Sequence, residues 1–89
     1  MQWTVRLSET ALKTLEKVNK PEQLRIRQFI KETLGNLDNP RSTGKALQGN
    51  LKGLWRYRVG DYRLVCKIYN NELIIMVLEI GHRKDIYKS

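Results

Sequence analysis

At 89 residues the chain has room for one domain around one small hydrophobic core, which excludes a multidomain enzyme. The lone cysteine, Cys66, excludes an intramolecular disulfide and any cysteine-rich zinc site, and no apolar run approaches the ~20 residues that span a bilayer. Seventeen Lys and Arg against nine Asp and Glu give a net charge of +8, which favours a phosphate-rich partner, and the absence of a signal-peptide pattern points to the reducing cytoplasm.

Residues 2–7 alternate Trp3, Val5 and Leu7 with polar side chains, the period-two pattern of a strand. Ser8 is a good N-cap and Glu9 suits a first helical turn, after which Ala11, Leu12, Leu15 and Val18 recur at helical spacing. Asn19 and Lys20 close that helix. Pro21 suits the first position of a second helix, whose stripe is Ile26, Phe29, Ile30, Leu34 and Leu37. The cluster Asn36, Asp38, Asn39, Pro40 stops it. Residues 41–53, punctuated by Gly44, Gly49 and Gly53, are expected to form a loop.

From there the period becomes two. Residues 54–59, 62–69 and 72–80 predict three strands joined by Gly60-Asp61 and Asn70-Asn71, each taken as a two-residue hairpin turn. The expected fold is therefore a single α+β domain of order β-α-α-β-β-β. Its two helices cover one face of a four-stranded, mostly antiparallel sheet made from the last three strands and the first.

Two-residue turns fix register, and register fixes faces. The first hairpin places Trp55, Tyr57, Val59, Tyr62, Leu64 and Cys66 under the helices. Arg56, Arg58, Arg63 and Lys67 fall on the opposite face. The second hairpin would set Lys67 across from Ile74, Val65 from Met76 and Arg63 from Leu78, continuing the cationic face into an apolar floor; Glu79 falls on the helix side. Placing Arg58 directly across from Arg63 costs stability, which a merely soluble basic surface has no need to bear. An exposed apolar patch beside converging arginines marks a partner site.

Arginines in a concave site suit phosphate, because the planar fork holds two oxygens and stays charged. They also stabilise the charge that develops at phosphorus in a transition state. RNA supplies its own nucleophile in the 2′-hydroxyl, so neither a Ser or Cys nucleophile nor a metal or other cofactor is called for. His82, the only histidine, is a candidate acid or base, or equally a phosphate, ribose or strand-end contact. Tyr87 either stacks on a base or anchors the tail. Trp3, Trp55, Tyr57 and Cys66 belong to the core. The polar face of the second helix (Arg25, Arg27, Gln28, Lys31, Glu32) is solvated or meets RNA.

The stretch from Leu51 to Val65, LKGLWRYRVGDYRLV, together with the ending from Gly81 to Tyr87, GHRKDIY, resembles the RelE/ParE toxin superfamily, and the resemblance extends over essentially the whole chain. It implies a compact fold related to microbial ribonucleases. It also implies a RelE-type messenger-RNA interferase, the toxin of a type II toxin–antitoxin system. Such a protein is a metal-independent endoribonuclease that cleaves mRNA in the ribosomal A site by 2′-hydroxyl attack. The implied partners are the ribosome, its mRNA and a RelB-like antitoxin that wraps the toxin; the toxin alone is expected to be a monomer.

Carried over, Arg56 and Arg58 stand where the best-studied branch has lysines and clamp phosphate. Arg63 stabilises the transition state, Arg83 serves the leaving 5′-oxygen, and Tyr87 stacks on the substrate base. Two rival functions fit the same sequence: a ParE-like DNA gyrase inhibitor that cleaves nothing, and a basic RNA-binding module without activity. In every case an acidic or amphipathic antitoxin segment is expected on the floor near Ile74, Met76 and Leu78.

Overall fold

The computed structural model describes residues 3–82; Arg83 and Tyr87 lie outside them. In chain order the elements are β1 (Thr4–Leu7), α1 (Glu9–Lys17), α2 (Lys20–Gln28), α3 (Pro40–Thr43), β2 (Lys45–Ala46), β3 (Trp55–Val59), β4 (Tyr62–Tyr69) and β5 (Ile74–His82). They form a five-stranded sheet of order β1-β5-β4-β3-β2, in which only β1 and β5 run parallel. No helix among the described residues is long and apolar enough to cross a membrane.

Ser8 caps α1 as its position predicts. Its hydroxyl accepts the Ala11 N–H at 3.0 Å and donates to the Leu78 carbonyl at 2.7 Å, joining the helix start to β5. Pro21 lies in the first turn of α2. That helix continues through a wide π turn (Phe29–Thr33) and a 3₁₀ turn (Leu34–Asn36). At 3.6 residues per turn Ile26 and Leu34 would drift ~80° apart; the wide turn lets both reach the core. Ala11, Leu15, Ile26 and Leu34 from the helical layer pack on Tyr57, Val59, Leu64, Cys66, Ile75, Val77 and Ile80 from one sheet face.

The segment after α2 departs from the expected plain loop. Asn39 caps a single helical turn, α3, and the chain then adds β2 as an extra edge strand, so the sheet has five strands rather than four. The Tyr57 hydroxyl donates to the Pro40 carbonyl at 2.7 Å, and a Cβ on Gly44 would meet the Tyr57 ring at 3.0 Å. Glycine is therefore what lets the chain pass over that ring.

The second hairpin corrects the expected register. Tyr69 pairs with Ile74, so the connection is four residues, not two. Neither Asn70 nor Asn71 takes the positive φ that a two-residue turn would use. The Asn70 side chain accepts from Arg41 Nη1 at 2.7 Å and its carbonyl from Leu73 N–H, while Leu73 takes the positive φ of 53° and its carbonyl accepts the Thr4 N–H. Farther along, the register jumps between Val65 and Cys66: Cys66 faces Val77 but Val65 faces Glu79, leaving Leu78 as the extra residue of a bulge.

Candidate nucleic-acid interface

The first hairpin has the register its turn dictates. Gly60, at φ 60°, opens a two-residue turn of the II′ pattern, and Val59, Arg58, Tyr57, Arg56 and Trp55 face Tyr62, Arg63, Leu64, Val65 and Cys66. Tyr57, Val59, Leu64 and Cys66 are in the core, so Arg56, Arg58 and Arg63 lie on the face away from the helices. Arg58 is exposed and Arg56 half-buried, whereas Arg63 is only 6% exposed, the one buried charged residue among those described. Like charges directly across a strand pair, here Arg58 and Arg63, repel. Such an arrangement suits a site that a polyanion will occupy.

Register extends this face across all five strands. Lys45 pairs with Arg56, Arg56 with Val65 and Val65 with Glu79. Arg58 pairs with Arg63, which pairs with Gly81. On the other side of the bulge, Arg6 pairs with Met76 and Met76 with Lys67. By register Arg6, Lys45, Arg56, Arg58, Arg63 and Lys67 thus share one face of the sheet, Arg63 buried in it, with Lys67 Nζ 5.2 Å from the centre of the Tyr69 ring. Between β2 and β3 a cleft of about 200 Å³ is lined by Thr43, Lys45, Arg56 and Arg58.

The bulge changes what accompanies the arginines. Ile74 and Met76 stay on the cationic face, as expected, and Met76 lies beside Lys67. Leu78 is not opposite Arg63; Gly81 is, and it leaves no side chain there. Glu79 comes opposite Val65 and so onto the arginine face by register, not the helix side, although it also borders a cleft beside α1 where β5 has no β1 partner. The apolar floor is accordingly limited to Ile74 and Met76.

His82 goes the other way. It pairs with Tyr62, and the two rings meet edge to face with centroids 5.5 Å apart. It borders a cleft of about 330 Å³ against Thr14 and Lys17 of α1 and Val18 just after it. The sheet therefore separates His82 from Arg56, Arg58 and Arg63. Arg83 and Tyr87, expected to join them, lie outside the described residues. Trp55 packs against the core with Arg41 6.0 Å above its ring, and Arg25, Arg27, Gln28, Lys31 and Glu32 are all exposed.

A family model described as the ParE toxin of type II toxin–antitoxin systems matches residues 5–87. The chain belongs to the RelE/ParE toxin superfamily. Toxin RelG of Mycobacterium tuberculosis is 33% identical over 99% of both chains, and a putative RelE-like toxin protein of Escherichia coli is 33% identical over 98% of this chain and 92% of that one. Among solved structures, the RelBE2 toxin–antitoxin complex of M. tuberculosis superposes with a TM-score of 0.85 at 29% identity, covering 93% of this chain and 100% of the matched one. The archaeal RelE–RelB complex of Pyrococcus horikoshii gives 0.73 at 25% identity, covering 96% and 99%.

The toxin's face has two cations that the sequence does not disclose. Arg6 is hidden because the apolar side of its strand dominates the pattern; its alternation with Val5 and Leu7 is the available signal. Lys45 is hidden because two residues are too few to show a period, and only the glycine before it hints at close packing on the hairpin.

Proposed function

We propose that this RelE-type toxin is a ribosome-dependent mRNA endoribonuclease, held in check in the cytoplasm by a RelB-like antitoxin. The observation that carries the proposal is the pairing of buried Arg63 with Arg58 on a sheet face that also bears Arg56. Relatives that share a third of its sequence are named toxin RelG and a putative RelE-like toxin, and the matched structures are a RelBE2 toxin–antitoxin complex and a RelE–RelB complex.

In the proposed reaction the 2′-oxygen of the substrate ribose attacks the adjacent phosphorus. The phosphorus–O5′ bond breaks, the 2′-hydroxyl gives up its proton, and the departing 5′-oxygen gains one. The products are a 2′,3′-cyclic phosphate and a 5′-hydroxyl end. Arg56 and Arg58 clamp the phosphate. Arg63 sits pre-positioned, already desolvated, where negative charge grows. Arg83 assists the leaving oxygen and Tyr87 stacks on the base, both by family resemblance. His82, on the far side of the sheet, supports strand packing against Tyr62 better than proton transfer at the arginines. The antitoxin segment is assigned to the surface around Ile74 and Met76.

Incubating the purified protein with translating ribosomes and mapping mRNA ends tests this. New 5′-hydroxyl ends made by wild type and not by Arg63→Ala are expected. The matched family model takes its description from ParE, so gyrase inhibition is the second reading. Loss of DNA supercoiling activity in a purified gyrase assay, with mRNA intact, would favour it. Co-expression with the protein encoded beside this one should yield a stable complex; free toxin alone would count against an antitoxin.

A further inference from the structure

We infer that Lys45, with Thr43 beside it, forms a second phosphate subsite at the sheet edge, next to the one assigned to Arg56 and Arg58. This rests on the proposed function, which supplies the polyanion, and adds where that polyanion runs. β2 contributes only two residues to the sheet, yet its register sets Lys45 directly across from Arg56. Cross-strand partners have Cα atoms ~5 Å apart, and same-face neighbours along a strand such as Arg56 and Arg58 lie ~6.6 Å apart.

Lys45, Arg56 and Arg58 thus make a triangle of cations around one cleft of about 200 Å³, with Thr43 on its rim. Three cations are more than one phosphate needs. A hydroxyl donor and a flexible ammonium at the outer corner fit the next phosphate along a single strand, held as a point charge without base recognition. The placement is built in: Gly44 lies close against the Tyr57 ring where β2 joins β3, and the Tyr57 hydroxyl is tied to Pro40 at the start of the helical turn that ends at Thr43. The single-stranded backbone therefore leaves the cleavage position over β2, not along β4.

The test measures binding of the full chain to a fluorescent single-stranded 2′-O-methyl oligoribonucleotide, which cannot be cut, over a range of salt. Removing one cation–phosphate pair from a single-strand complex lowers the slope of log K against log salt by ~0.7, so Lys45→Ala should bind roughly fivefold more weakly at 0.1 M salt. Lys45→Arg should retain both affinity and slope. Replacing phosphates one at a time with uncharged methylphosphonate should reveal one position at which wild type and Lys45→Ala bind equally. Wild-type binding with an unchanged slope in Lys45→Ala, or no such position, overturns the subsite and leaves the proposed function standing. Absence of any wild-type binding also overturns the subsite, while cleavage on translating ribosomes decides the proposed function separately.

Discussion

Arg63 concentrates the tension in this molecule: a guanidinium almost removed from water, opposite another cation, on the face that the hydrophobic core does not use. If it stabilises a transition state, Arg63→Ala should lower the single-turnover cleavage rate by roughly 10²–10³-fold while the far-ultraviolet spectrum stays native. Arg63→Lys should restore little, since an ammonium cannot present the same planar fork. Cys66 makes the opposite case. Burial pushes its thiol from 9.0 to about 12, so at neutral pH it stays protonated and unreactive to alkylation until the chain unfolds. Burial also raises the Tyr57 hydroxyl, Cys66 adds to that, and Arg41 opposes it. Both groups titrate earlier in the unfolded chain than in the folded one. The stability they contribute is complete below pH ~9 and declines as pH rises toward 12. The midpoint of thermal unfolding should fall across that range, and fall less steeply in Cys66→Ala.

Among elements, the edge strand and the bulge decide the site. Gly44→Ala would drive a methyl to 3.0 Å from the Tyr57 ring. It should cost ~1–3 kcal/mol in chemical unfolding and displace Lys45 from Arg56. Ser8→Ala removes both the α1 cap and the bond to the carbonyl of the bulge residue Leu78, with an expected loss of ~1–2 kcal/mol. An unchanged unfolding midpoint would show that neither bond matters. These elements also mark where the sequence could be read and where it could not. The Gly60-Asp61 turn has a local chemistry that dictates register, so the arginine face followed from it residue by residue. Asn70-Asn71 would tolerate a two-residue turn as well, but Arg41 and Thr4, distant in sequence, hold the adjoining segment in a longer turn. The bulge at Leu78 has no local signal. It arises from tertiary fit, and it sent Glu79, Gly81 and His82 to faces opposite those that strict alternation assigns. A two-residue strand such as β2 has no period to detect.

For the molecule as a whole, charge and burial are segregated. One sheet face carries the core and the helices; the other carries Arg6, Lys45, Arg56, Arg58, Arg63 and Lys67. A chain this small is marginal alone, so a partner bound at 100 times its Kd adds ~2.7 kcal/mol. That should raise the melting temperature of the toxin–antitoxin complex by roughly 10–20 °C over the free toxin in a differential scan. The most direct test of the central claim, that the cationic sheet face is the RNA-cleaving surface, compares two sets of arginine substitutions in one ribosome-programmed cleavage assay. Arg56→Ala, Arg58→Ala and Arg63→Ala should each abolish or cripple cleavage, while Arg25→Ala and Arg27→Ala on the exposed side of α2 cut at the wild-type rate. Undiminished cleavage by the sheet-face variants, or loss only from the α2 pair, would contradict it.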